Sequence, residues 1–288
     1  MNTVKKTAAF FIAVVIAVSA CVSCNSDSTV SRLKENGGLR VGYCSSSEVD
    51  DAPFLMEGQD GKLTEGITGN PAAKAAHSLG VDPLFTRLDS SGAYDSLMQG
   101  SVDCLWNCPP PSKKLVSSVR TIETGLYYRQ VIMTLSDSNI NRLADVKDKR
   151  LAVVSGSDAQ RELHNASVME SSLKKITVCS NIQQVIQKLA SGDVDCAAVD
   201  EPQSLWAASN FNDGKTAFKY IDTPIAECSL VIVTRADDAD LCSRIAEEYV
   251  SMAQQGKIKE LCQSYDLNVL LSSAIKNNPE EEIGRAHV

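Results

Sequence analysis

Two eight-residue segments constrain the fold more than any other feature: LMQGSVDC (Leu97 to Cys104) and LASGDVDC (Leu189 to Cys196). They share Leu, Gly, Val, Asp and Cys at identical spacing, and each follows a helical stretch and leads into a strand and a proline. A chain that repeats such a unit is built from two like halves. In the first half, LRVGY (Leu39 to Tyr43) reads as a buried strand, Pro83 to Leu88 as a short strand, Tyr94 to Gln99 as a short helix and Val102 to Trp106 as a strand. Asn70-Pro71 offers an N-cap and a first-turn proline for a helix running through AAKAAHSLG. In the second half, RLAVV (Arg150 to Val154) is a strand entering Ser155-Gly156, and Ser157 with Gln160 forms a capping box for the helix that follows. Ser180 with Gln183 does the same for IQQVIQKLASG. Strands alternating with helices predict an α/β chain with parallel sheets and right-handed crossovers, in which ligands gather at the carboxyl ends of strands. Two such lobes facing one another enclose a cleft.

The 288 residues, 43% of them hydrophobic and 22% charged, suffice for two domains or one two-lobed body with a sizeable core. A formal net charge of -8 with no basic face argues against a nucleic-acid partner. At the start, Lys5 and Lys6 precede an apolar run from Ala8 to Val18 that is too short to span a bilayer, the order of a secretion signal over residues 1–20. Val18-Ser19-Ala20-Cys21 resembles a bacterial lipobox, with Cys21, or alternatively Cys24, as the lipidated residue and residues 21–37 as a polar linker. The expected result is an acidic body held outside the cell by a lipid tether in the membrane. At the other end, residues 271–281 read as a tail. Glu282 to Val288, EIGRAHV, reads as the in-frame translation of a sequencing-library adaptor, so these residues carry no chemistry here and the native C-terminus, with any further domain, lies beyond them.

Eight cysteines remain after the lipobox pair: Cys44, Cys104, Cys108, Cys179, Cys196, Cys228, Cys242 and Cys262. An exported chain permits disulfides, but pairing is not legible from spacing, and several of these residues sit in apolar runs as small hydrophobes. No metal site is expected, since Cys104 and Cys108 are followed by prolines and have no histidine pair nearby. His77 and His164 lack a nucleophile motif beside them, and no cofactor is expected.

A set of motifs now resembles a known family: LRVGY; Ala52-Pro53-Phe54; DGKLTEGI (Asp60 to Ile67); LMQGSVD; Leu126-Tyr127-Tyr128; RLADVKDKRLAVVSGSDA; LASGDVDCAAVDEP; and GKIKELCQSYDL. Together, from Leu39 to about Asn268, they are similar to the family 3 extracytoplasmic solute-binding proteins, the polar amino-acid receptors of bacterial ABC importers. The resemblance implies a type II periplasmic-binding-protein fold with a central ligand cleft and two hinge crossings. Lobe 1 would comprise residues 38–130 and 228–270, lobe 2 residues 131–227, with QVIMTL and the segment from Cys228 to Val233 as the crossings. It also implies an ABC permease as partner and hinge closure around a small polar solute.

The family holds an amino acid by three devices. An acid at the end of a lobe 2 strand meets the ammonium group, and Asp200, closing CAAVD, occupies that place; the bland alternative is a turn acid before Pro202. Amides and hydroxyls at a helix start meet the carboxylate, and here they would be Ser157 and Asp158, although Asp158 brings its own negative charge and both residues also serve as helix caps. An arginine then clamps the carboxylate, but Leu115 falls at its position, with Lys114 one residue away as a point charge in place of a fork. Ser90 stands where an aromatic wall is usual and Cys44 where an acid is usual, leaving Phe54, Trp106 and Asn107 as candidate walls, although Trp106 reads more readily as core. Two acids without an arginine suit a cationic or neutral ligand better than a standard zwitterion. The alternative functions are a ligand sensor, or the regulatory lobe of an enzyme such as a lytic transglycosylase.

Overall fold

The computed structural model describes residues 28–44, 51–89, 92–108, 110–211, 216–265, 267 and 286–287. Helix α1 (residues 28–35) replaces the second part of the expected linker: Leu33 is fully buried in the first core, and Arg32 Nη2 donates to Asp238 Oδ1 at 2.8 Å. One buried leucine among polar neighbours was too sparse a pattern to announce a helix.

The chain continues through β1 (Leu39–Cys44), β2 (Met56–Glu57), β3 (Leu63–Glu65) and α2 (Gly66–Ser78). Helix α2 opens four residues before Asn70-Pro71, the expected start. The amides of Ile67 and Thr68 donate to the carbonyls of Pro53 and Phe54 at 2.9 and 2.7 Å, so the backbone of a preceding turn caps the helix. Gly66, at φ 96°, is required there, because a Cβ would lie 2.6 Å from both carbonyl oxygens. Next come β4 (Pro83–Leu88), α3 (Ala93–Met98), β5 (Cys104–Cys108) and the long strand β6 (Val119–Leu135). The second half holds β7 (Arg150–Val154), α4 (Asp158–Asn165), α5 (Ser167–Ser172), β8 (Lys175–Cys179), α6 (Ile182–Ala190), β9 (Cys196–Asp200) and α7 (Glu201–Ser209). After β10 (Phe218–Tyr220), β11 (Ala226–Arg235) returns to the first half, which α8 (Ala239–Gln254) and α9 (Lys257–Ser264) complete. The two-residue strand β12 (Ala286–His287), within the stretch read as adaptor-encoded, pairs with Ile122 and Thr121 of β6.

The main sheet runs β4-β1-β5-β11-β6-β9-β7-β8. Its outer triplets, β4-β1-β5 and β9-β7-β8, are parallel, and the antiparallel strands β11 and β6 join them. One pair of cores flanks the first triplet, built around Leu39, Trp106 and Tyr249 on one face and Leu97, Leu105 and Val233 on the other. A second pair, around Val185 and Leu189 and around Leu151 and Leu163, flanks the other triplet. Along β6, Tyr128 belongs to the first core and Val131 to the second, so the chain crosses between them at Tyr128 to Gln130, opposite Ala226 to Cys228 of β11. QVIMTL, read as the crossing itself, lies mostly past it, since Gln130 to Met133 already pair with β9.

The repeated VDC segments explain themselves in the structure. Asp103 accepts from Arg40 three times, from its backbone N–H at 3.0 Å, Nε at 3.0 Å and Nη2 at 2.8 Å. Asp195 accepts from Arg150 through the same three groups at 2.8, 3.1 and 2.6 Å. In each half a bidentate fork therefore fastens the start of the first strand to the turn before the last. Half of the box at Ser157 forms: Ser157 Oγ accepts from Gln160 N at 3.1 Å, but Gln160 Oε1 accepts from the Gly156 amide one residue earlier, at 2.7 Å. The expected box at Ser180 and Gln183 moves one residue on: Asn181 accepts from Gln184 N at 2.9 Å, and Gln184 Oε1 accepts from Ser180 N at 3.1 Å. Asn and Ser cap equally well, and this register buries Ile182, Val185, Ile186 and Leu189.

Candidate functional site

Strands β1 and β5 end side by side at Cys44 and Cys108, and β7 and β9 end beside the start of α4. Strand β9 ends in Asp200, whose half-buried carboxylate accepts from Gln130 Nε2 at 3.4 Å and from the Ala159 backbone N–H at the start of α4. Gln130 is fully buried and held from its other side by the Cys228 thiol, which donates to its Oε1 at 3.7 Å. Asp158, the first residue of α4, accepts from the Tyr128 hydroxyl on one oxygen and from Arg161 Nη1 on the other. Two carboxylates therefore share a site whose other donors are neutral apart from Arg161.

Burial, followed by the Asp158 charge, pushes the Asp200 carboxyl up to about 7, against the opposing pull of the Gln130 and Ala159 hydrogen bonds and of Arg161. Burial and the charges of Asp158 and Asp200 likewise raise the Tyr128 hydroxyl well above its ordinary value. The Cys228 thiol is pushed up to about 11, by burial first, so it stays a neutral thiol at physiological pH.

Ser157 is buried, and its hydroxyl is engaged locally, donating to Val154 O at 2.9 Å and accepting from Gln160 N. Two neighbouring amides are engaged as well: Gly156 N donates to Gln160 Oε1 at 2.7 Å, and Ala159 N to Asp200. The protein's own carboxylate sits where the amino-acid receptors are expected to take a ligand carboxylate.

In the first half, Phe54 packs edge-on against Tyr128 with ring centroids 6.5 Å apart, which brings it to the Asp158 side of the site. Trp106 is 3% exposed and packs edge-on against Tyr249 in the core. Asn107, at φ 55°, is an extra residue in β5, between Trp106 paired with Ile232 and Cys108 paired with Val231. That bulge turns Cys108 toward Cys44, and the two form a disulfide across the ends of β5 and β1. Cys44 thus offers no thiol to a ligand. Lys114 is exposed, whereas its neighbours Ser112 and Leu115 line a cavity of about 690 Å³ together with Tyr94, Gly156, Gln160 and Arg161. Ser90, Cys21 and Cys24 lie outside the described residues.

The expectation of a site without arginine is corrected by Arg161, which the sequence reading passed over although Asp158 and Arg161 stand three apart on a foreseen helix, the spacing of a surface ion pair. Tyr128 and Gln130 were missed as site residues because only the pairing of β6 with β9 and β11 brings them to α4. Among the described residues no group of three or more His, Cys, Asp or Glu side chains is placed to hold a metal ion, and no helix is long and apolar enough to cross a membrane.

A family model described as "ABC transporter, phosphonate, periplasmic substrate-binding protein" matches residues 66–271. The chain belongs to this family. As a periplasmic substrate-binding protein it works outside the cytoplasm, and its partner is an ABC transporter. No curated protein matches it. Among solved structures, an ABC uptake transporter substrate-binding protein from Streptococcus pneumoniae with bound histidine superposes with a TM-score of 0.66 at 18% identity, covering 84% of this chain and 98% of that one. An ancestral arginine-binding protein bound to arginine gives 0.61 at 23% identity, over 80% of this chain and 98% of its own. An ancestral amino acid-binding protein described as a precursor of cyclohexadienyl dehydratase gives 0.63 at 20% identity, over 82% and 98%. These likenesses establish the type II periplasmic-binding fold expected from the sequence.

Proposed function

We propose that this substrate-binding protein captures a small solute bearing an ammonium or guanidinium group, amino-acid-like in size, for its ABC permease, and that a lipid on Cys21 or Cys24 holds it at the membrane. The observation that carries the ligand class is the pairing of Asp158 and Asp200 in one site where the Gly156 and Ala159 amides are already engaged by the protein's own side chains. A phosphonate dianion there would face the Asp158 carboxylate and, as pH rises through about 7, an ionised Asp200 as well, and at 4 Å even an effective dielectric of 20 makes each pair of unit like charges cost about 4 kcal/mol. A cation meets both carboxylates favourably. The solved neighbours with histidine or arginine bound show that this fold accommodates such solutes. Asp200 is the principal contact for the cation, Asp158 its companion, and Phe54 with Tyr128 the apolar wall.

The test is thermal unfolding of the protein from Ser26 onward against basic and neutral amino acids, polyamines, acidic amino acids and alkylphosphonates. A ligand at one hundred times its Kd stabilises the fold by about 2.7 kcal/mol. Cationic solutes are expected to raise the midpoint, and Asp200→Asn to abolish the shift. A response confined to phosphonates or acidic amino acids overturns the ligand class. Mass spectrometry of the membrane-extracted protein, expected to show an acylated N-terminal cysteine, tests the anchor.

A further inference from the structure

The two carboxylates need a positive partner whenever no cationic ligand is bound. Tyr128 and Gln130 offer Asp158 and Asp200 neutral donors, which leave the charge uncompensated. The cation that faces Asp158 is Arg161, one turn along the same helix, so the pair forms whether or not the two halves approach each other. Its guanidinium spans two acids: Nη1 reaches Asp158, whose side chain is 14% exposed, and Nε donates to Glu162 Oε1 at 3.0 Å. The Arg161 side chain is itself 40% exposed and borders the 690 Å³ cavity, so its long stem has room to turn away from Asp158 without disturbing the core. The remaining charged groups on that cavity are Asp89 and the pair His164 and Glu170, at 3.1 Å, so the space that would receive the guanidinium also carries acids.

We infer that Arg161 is a resident stand-in for the ligand's cationic group: it occupies Asp158 in the empty cleft, and an incoming ammonium or guanidinium displaces it toward the cavity. This rests on the cation-binding reading above and adds to it a specificity device. Every cationic ligand must outcompete an intramolecular guanidinium, so weakly basic or poorly fitting solutes are rejected and the site never stands empty of positive charge. The arrangement also assigns the ligand's cation to the Asp158 oxygen that Arg161 now holds, leaving Tyr128 on the other.

The experiment uses Arg161→Ala, which opens a guanidinium-sized hole, with methylguanidinium as the probe and sodium chloride as the ionic-strength control. Arg161→Ala is expected to show a saturable midpoint rise with millimolar methylguanidinium that the wild-type protein lacks and that a further Asp158→Asn change removes. It is also expected to bind the cationic ligand found by the screen about tenfold more tightly than wild type, the equivalent of about 1.4 kcal/mol. Arg161→Gln, which keeps most of the stem, carries the same affinity expectation if the alanine variant folds poorly. Weaker ligand binding in both variants would make Arg161 a ligand contact and overturn the stand-in, as would failure of Arg161→Ala to take up methylguanidinium. The probe arm needs no knowledge of the native ligand, so a wild-type protein that ignores all cations would overturn the cation-receptor reading while methylguanidinium capture still decides the role of Arg161.

Discussion

At Asp200 the physical question is which state of the chain holds the proton more tightly. Burial and the neighbouring Asp158 charge raise the carboxyl to about 7 in the folded protein, against about 3.9 in an unfolded chain. A raised folded value means the folded state binds more protons in between, so this contribution to stability is complete below about pH 4 and is lost as pH rises through about 7. Thermal midpoints measured from pH 5 to 8 are expected to fall with pH in the wild-type protein more steeply than in Asp200→Asn, which has no carboxyl to ionise there. Affinity for a cationic solute should move the opposite way, increasing across the same window as Asp200 becomes charged. Asp158→Asn removes the charge that helps hold the proton on Asp200, so it should shift both profiles to lower pH. If Asp200→Asn and wild type share one slope, the raised carboxyl is not the group that sets it.

At the scale of the elements, the same fork is used twice in unequal surroundings. Asp103 is fully buried and meets Arg32 and Arg235 in addition to Arg40, whereas Asp195 is 31% exposed and pairs with Arg150 alone among the described residues. Removing the charge of Asp103 leaves arginines converging on a neutral group, a change worth about 3–5 kcal/mol for a buried pair. Chemical denaturation is therefore expected to show a large loss for Asp103→Asn and a clearly smaller one for Asp195→Asn; equal losses would mean that the three-arginine surroundings add nothing. The repeat that carries these forks was legible from the sequence, as were the strands at LRVGY, RLAVV and CAAVD and the Ser157 cap, because each depends on residues a few positions apart. The start of α2 was not, since the amides of Ile67 and Thr68 are capped by the carbonyls of Pro53 and Phe54, each fourteen residues upstream of its donor. The Cys44 to Cys108 bridge was equally hidden, because a bulge at Asn107 decides which way Cys108 points. The candidate site divides along the same line: Asp158 and Asp200 are placed by their own helix and strand, whereas Tyr128, Gln130 and Cys228 arrive through sheet pairing over long separations.

For the molecule as a whole, the residues that hold the two acids are also the residues at which the chain passes from one core to the other. Tyr128 and Gln130 flank Arg129 on β6, and Arg129 grips Glu201, the residue after Asp200, through both Nε and Nη2. The Glu201 side chain is 4% exposed, so this fork is the charged tie between the crossing and the start of α7. A change at the crossing should therefore disturb ligand capture as well as stability, whereas a change of equal cost deep in one half should disturb stability alone. Arg129→Met leaves Glu201 buried without its partner, at a cost of about 3 kcal/mol or more. Leu189→Ala, in the core between β9 and α6, removes a fully buried side chain for about 2–5 kcal/mol and touches neither acid. With both variants held well below their unfolding midpoints, calorimetric titration with the cationic ligand is expected to show affinity reduced about tenfold or more in Arg129→Met and nearly unchanged in Leu189→Ala. Equal affinity in the two would separate the crossing from the site and leave Arg129 and Glu201 as a structural pair only. Loss in both would mean that binding follows overall stability and not the tie between the crossing and Asp200.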